Sequence, residues 1–260
     1  MTYNNILFTV EEGIATITFN RPKALNAMNS ETMGELYDAA TACKNDDQVK
    51  VLILTGAGEK SFVAGADIAQ MQSLRPAEAL QFMEMGNETL RLIETMAKPS
   101  LAAVNGYALG GGAEISMACD IRYASENAIF GQPEISLGMM PGWGGSQRLP
   151  RLIGMGRAKE LIMSGASIDA KRAYEIGLVN KVCPLDQLLA ETGKMARKLA
   201  GLSGFALKMI KQSVNFGYDQ SLDSAIRLEM ECCAQCFSTD DQKEGMKAFL
   251  EKRKPVFTGK

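Results

Sequence analysis

Glu114 and Glu134 stand twenty positions apart, each just after a glycine-marked turn, in a chain of 260 residues without a single histidine. The stretches are Asn105-Gly-Tyr-Ala-Leu-Gly-Gly-Gly-Ala-Glu114 and Gly131-Gln-Pro-Glu134. Proton transfer near neutral pH therefore falls to carboxylates, lysines, tyrosines or cysteines, and histidine-dependent triads and metal sites drop out. Glu114 is followed by Ile115, Met117 and Ala118, and Glu134 lies between Pro133 and Ile135. A carboxylate in such apolar surroundings costs free energy unless it is paired. Either one alone reads as an exposed or capping side chain. Both together, beside glycine turns, read as an acid–base pair.

Such a pair needs a carbonyl to work beside. Gly110-Gly-Gly112 lies between an apolar strand and an apparent helix, so its amides are helix N-terminal donors without intrahelical partners. The loop Phe62-Val-Ala-Gly-Ala-Asp67 also follows a strand and can aim amides at the same spot, giving two donors for an oxyanion. Taken alone, the triple glycine is a packing feature. Gly56-Ala-Gly-Glu-Lys-Ser61 has Glu59 where a phosphate loop needs glycine, and Gly142-Trp-Gly-Gly145 does not fit the dinucleotide fingerprint.

Other candidates have plainer uses. The cysteines at 43, 119, 183, 232, 233 and 236 include Cys233-Ala-Gln-Cys236, but no second pair completes a zinc site, so they read as free, mostly buried thiols. Among sixteen methionines, Met83, Met85, Met139 and Met140 read as core filling, with an adaptable acyl pocket as the sharper alternative. Lys247, Lys252, Arg253 and Lys254 form a solvated helix face or, alternatively, a phosphate clamp. A net charge of −2 leaves no footprint of a nucleic-acid binder. No apolar run approaches the ~20 residues of a membrane span, and the start of the chain has no leader pattern, so a cytoplasmic protein is expected.

The elements that must position these groups alternate in type. Residues 6–10 and 14–19 flank Gly13 as a predicted hairpin; Asn29 and Ser30 offer caps for a helix over 31–42; residues 49–55 read as a buried strand. A loop over 58–67 precedes a helix marked by Leu80, Met83, Leu90 and Ile93, which stops before Pro99. Residues 100–104 read as a strand, 110–119 as a glycine-opened helix, and 121–124 and 128–130 as short strands. Beyond Ser146 the pattern turns mainly helical, with one strand over 179–182. The alternation indicates α/β, with a core over 1–200 and a helical part over 201–260.

At these residues the sequence resembles the enoyl-CoA hydratase (crotonase) family, its short-chain bacterial members, the 3-hydroxybutyryl-CoA dehydratases, above all. The match runs through Asn20-Arg-Pro-Lys-Ala-Leu-Asn26, residues 61–68, 98–114 and 131–149, Gly177-Leu-Val-Asn180, and residues 240–254. The resemblance implies stacked ββα turns and a helical C-terminal region that builds a homotrimer, commonly paired into a homohexamer. It implies that the amides of Ala66 and Gly111 hold a thioester oxygen and that Glu114 and Glu134 are the catalytic glutamates. It places Gly142 near the nucleophilic water, and Lys23, Ala24, Leu25, Ala64, Asp67 and Ile68 at coenzyme A. Phe249 and Lys252 fall near the acyl chain and the CoA phosphates, sometimes across a subunit boundary. The expected partner is an acyl-CoA thioester, with no metal or separate cofactor. Rivals are a Δ3,Δ2-enoyl-CoA isomerase, which needs one base where this chain has two, and an RNA-binding or scaffolding protein on the same fold.

Overall fold

The structure, a computed structural model, describes residues 2–259. β1 (Ile6–Glu11) and β2 (Ile14–Phe19) form an antiparallel hairpin, and α1 (Ser30–Asn45) follows, capped where the Asn29 side chain accepts from the Thr32 amide at 2.8 Å. The chain then winds in similar turns, each a longer strand, a short strand and helix. β3 (Val51–Gly56), β4 (Ser61–Val63), α2 (Ile68–Met71) and α3 (Pro76–Thr95) make the first turn. β5 (Ser100–Val104), β6 (Tyr107–Leu109) and α4 (Gly111–Ala118) make the second. β7 (Ile121–Ser125) and β8 (Ile129–Gly131) open the third, which continues through a 3-10 turn (Pro133–Leu137) into α5 (Gly145–Ile153) and α6 (Met155–Ser164). β9 (Ser167–Asp169), α7 (Ala170–Glu175), β10 (Lys181–Cys183) and α8 (Leu188–Ala200) lead to three final helices: α9 (Gly204–Gly217), α10 (Leu222–Cys236) and α11 (Asp240–Leu250).

The longer strands line up as β1-β2-β3-β5-β7-β10, parallel after the first hairpin; the short ones line up as β4-β6-β8-β9, with only β9 antiparallel. These are the expected stacked ββα turns of an α/β protein. Period-two alternation in the central strands feeds two cores. Leu52, Leu54, Ala102 and Val104 face a large cluster with α1, α3 and α4, while Val51, Ile53, Leu101 and Ala103 face a smaller one with Leu188 and Ala196 of α8. Coverage on both sides explains why β3 and β5 are buried along their whole length.

Three short strands escape the sequence pattern. β4 lies inside the segment expected as a loop, and β6 and β9 were not expected. Each spans three residues, too few for a period to register. In the helical part, α10 starts at Leu222, where the Ser221 hydroxyl accepts from the Ser224 amide. α9 is moored to the core by Lys211, whose Nζ donates to Asp120 Oδ2 at 2.8 Å and to the carbonyls of Ile93 and Lys98 at 3.1 Å each.

Candidate active site

β4 and β6 pair in parallel, with Val63 beside Ala108, so the segments that leave them run on together. Three residues further along each lie Ala66 and Gly111. Ala66 forms a parallel bridge with Met28: the Met28 amide donates to the Gly65 carbonyl and the Asp67 amide to the Met28 carbonyl, at 2.9 and 2.8 Å. That pairing uses the groups flanking Ala66 and turns its own N–H the other way. Gly111 opens α4, so its N–H is one of the orphan donors of a helix start.

The entry to α4 fixes the carboxylates as well. Gly110 has φ 51° and ψ −120°, a conformation that suits glycine alone, and its amide donates to the Gly131 carbonyl at 2.9 Å. Glu134, just beyond Gly131, lays its carboxylate over Gly110, where an added Cβ would stand 2.9 Å from Oε1. The buried Gln132 amide, turned to satisfy its neighbours, donates to Glu134 Oε1 at 3.0 Å. Burial raises the proton affinity of Glu134 above the usual carboxylate range.

Glu114 lies one turn into α4 and is 2% exposed. Its Oε1 accepts from the Trp143 amide at 2.8 Å and from the Gly145 amide at 2.7 Å. Burial pushes its pKa up to about 7, and the Glu134 charge adds to that; the two amides and Arg148 pull the other way. Burial raises both carboxyl groups, and the charge on Glu134 adds to the rise at Glu114, an arrangement in which one can accept a proton while the other donates. Among the described residues no group of histidines, cysteines and acids is arranged to hold a metal ion.

The expected CoA contacts fall into two groups. Lys23, Ala24 and Leu25 form an exposed turn, joined to the second loop where the Ala64 amide donates to the Leu25 carbonyl at 3.1 Å. Asp67 pairs with Arg21 at 3.0 Å, and Ile68 is half exposed beside it, so these residues make one rim near Ala66. Phe249 at the end of α11 is 83% exposed, and Lys252 just beyond it is exposed as well. Gly142 precedes the two amides that hold Glu114.

Several contributors were not assigned from sequence. Asn26 is buried, accepts from the Arg21 amide at 3.0 Å and donates to the Ser61 carbonyl at 2.8 Å, which explains why the motif starting at Asn20 ends on asparagine. The amides of Trp143 and Gly145 carry no side-chain signal. The Trp143 ring is 2% exposed and fills the space that side chains at Gly86 and Gly111 would need.

Comparison with known proteins shows the family. The enoyl-CoA hydratase/isomerase family model matches residues 9–260. The chain is 51% identical to a crotonyl-CoA hydratase of Syntrophomonas wolfei over the whole length of both proteins. It is 50% identical to a short-chain-enoyl-CoA hydratase of Clostridium acetobutylicum, across 98% of this chain and 97% of the relative. A crystal structure of an enoyl-CoA hydratase from Bacillus anthracis superposes with a TM-score of 0.96 at 38% identity, covering 99% of this chain and 100% of that one. This chain, with its paired glutamates at the mouth of a glycine-opened helix, is an enzyme of the enoyl-CoA hydratase/isomerase family.

Proposed function

We propose that the protein is a cytoplasmic short-chain enoyl-CoA hydratase, equally a 3-hydroxybutyryl-CoA dehydratase, that adds water reversibly and syn to trans-2-enoyl-CoA. The observation that carries this reading is the pair itself: Glu114, buried and gripped through one oxygen, and Glu134 over Gly110, both raised in proton affinity beside the amide of Gly111. Conjugation with the thioester makes the β-carbon electrophilic. Glu114 takes a proton from water as its oxygen bonds to that carbon, enolate charge gathers on the thioester oxygen at the amides of Ala66 and Gly111, and Glu134 delivers a proton to the α-carbon. Losing one oxyanion donor costs ~3 kcal/mol in comparable sites. CoA serves as the handle, held by the rim of Lys23, Ala24, Leu25, Ala64, Asp67 and Ile68, and the chemistry needs no metal or redox cofactor. Crotonyl-CoA should lose the absorbance of its conjugated thioester on incubation with the enzyme. Inertness toward it, with conversion of a 3-enoyl-CoA instead, would establish the isomerase reading.

Chain length should be limited from inside. Of the four candidates for capping the acyl end, Met139, Met140 and Phe249 stand 37%, 64% and 83% exposed, whereas Trp143 packs directly behind Gly111. A further methylene adds ~0.8 kcal/mol of binding only where there is room. We expect kcat/KM to be highest for C4 to C6 substrates, and Trp143→Ala to shift the preference toward C8. A wild-type kcat/KM that climbs steadily to C12 would overturn this.

The names of the relatives leave assembly open; the surface supports a homotrimer or a dimer of trimers built by residues 201–260. On α9, Ile210 and Val214 are about 60% exposed, and on α10 Leu222 and Met230 are 74% and 65% exposed, with only Cys232 buried. That much apolar helix surface calls for a neighbour, and closed rotation supplies one. Such packing can bring Phe249 and Lys252 to the next subunit's CoA. Light scattering at micromolar concentration should report three or six times 28.1 kDa. A fully active monomer would rule the assembly out.

A further inference from the structure

We propose that Arg148 is a positioning residue of the reaction: with Asn87 it clamps the loop from Gly142 to Gly145, so that two amides of that loop bind one oxygen of Glu114 and leave the other for water. The proposal rests on reading Glu114 as the base of a hydratase. It follows from how three successive peptide planes are held. In a trans peptide the carbonyl and the following N–H point opposite ways. The Gly142 carbonyl accepts from Asn87 Nδ2 at 2.8 Å on the outer side, which sends the Trp143 N–H inward to Glu114 Oε1. The Gly144 carbonyl accepts from the amides of Gln147 and Arg148 at the start of α5, which sends the Gly145 N–H inward to the same oxygen. The carbonyl of the middle plane, that of Trp143, accepts from Arg148 Nη1 at 2.8 Å.

Gly144, between the middle plane and the last, has φ 96°, and any side chain there would collide with the guanidinium. Arg148 is itself fixed from behind. Its Nε and Nη2 donate to the two oxygens of Glu94 on α3 at 3.3 and 3.0 Å, and its side chain is 14% exposed. A planar fork can serve a carboxylate and a carbonyl together, which an ammonium cannot do in the same geometry. The charges facing Glu114 are Glu134 from the 3-10 turn and Arg148 from α5, with Glu94 and Arg91 of α3 behind the guanidinium. β4 adds none, and Tyr107 of β6 stands at the surface.

Arg148 thus acts on Glu114 in two separable ways, by loop geometry and by charge. Arg148→Gln keeps a donor for the Trp143 carbonyl but removes the charge, so both protonation steps of the glutamate pair should move to higher pH. The acid limb of kcat/KM for crotonyl-CoA should rise by at least about half a pH unit, with KM little changed. Arg148→Lys keeps the charge but loses the fork: its acid limb should stay within about 0.2 units of wild type while kcat falls at least about fivefold. A merely structural role lowers the active fraction and leaves the limb where it was. An unmoved acid limb in Arg148→Gln overturns the proposal, and if that variant does not fold, full kcat in Arg148→Lys does so. A wild-type enzyme inert toward crotonyl-CoA would instead refute the hydratase reading.

Discussion

Glu114→Gln and Glu134→Gln are each expected to lower kcat for crotonyl-CoA hydration by at least ~100-fold, the usual scale of acid–base catalysis, while binding of the CoA thioester largely survives. Glutamine keeps the size of each side chain. At 114 its carbonyl still accepts from the amides of Trp143 and Gly145, so the pocket need not collapse. What disappears is the ability to take or give a proton. In the proposed mechanism the two groups act on one water, and Glu114 feels the charge on Glu134, so the double variant should lose less than the product of the single losses. Steady-state kinetics with a binding measurement on each variant decides the matter. Near-normal hydration by either single variant would show that its carboxyl group is structural.

Lys211→Met should destabilise the protein by about 3 kcal/mol, the lower end of what breaking a buried ion pair costs, because Asp120 keeps some contact with water. The change strands Asp120 Oδ2 with only the amide and hydroxyl of Ser100, and takes the donor from two carbonyls. Lys211→Met with Asp120→Asn should cost less than the two separate losses added together. Urea unfolding at fixed pH measures both. A loss below about 1 kcal/mol for the single variant would mean that α9 is held by apolar packing rather than by this mooring.

The parts of the molecule that the sequence made legible are those with a strong period or a distinctive residue type. β3 and β5 announced themselves as apolar runs, α1 by its Asn29 cap, and Glu114 and Glu134 by being acids in apolar company. Most of the small sheet did not, because β4, β6 and β9 are three residues each, yet the pairing of β4 with β6 sets the segments of Ala66 and Gly111 side by side. The hold on Glu114 was equally silent: its donors are backbone amides whose aim depends on the carbonyls of the peptide planes around them. Family resemblance could name Ala66 and Gly111, but only the register of β4 against β6 shows that their segments leave the sheet side by side. Phe249 and Lys252 stand exposed at and beyond the end of α11, and exposure alone carries no mark of a ligand.

Glu114 also couples folding to acidity. Its folded value near 7 lies well above that of an unfolded glutamate, so across the interval between them the folded chain keeps a proton that the unfolded chain has released. Forming the native state therefore takes up a proton from the solvent there. The stabilisation linked to that proton is complete below the unfolded value and is lost as pH rises through about 7, the reverse of the acid lability expected of salt-bridged carboxylates. The same burial that strengthens the side chain as a base leaves the native state more sensitive to alkali than to mild acid at this one position.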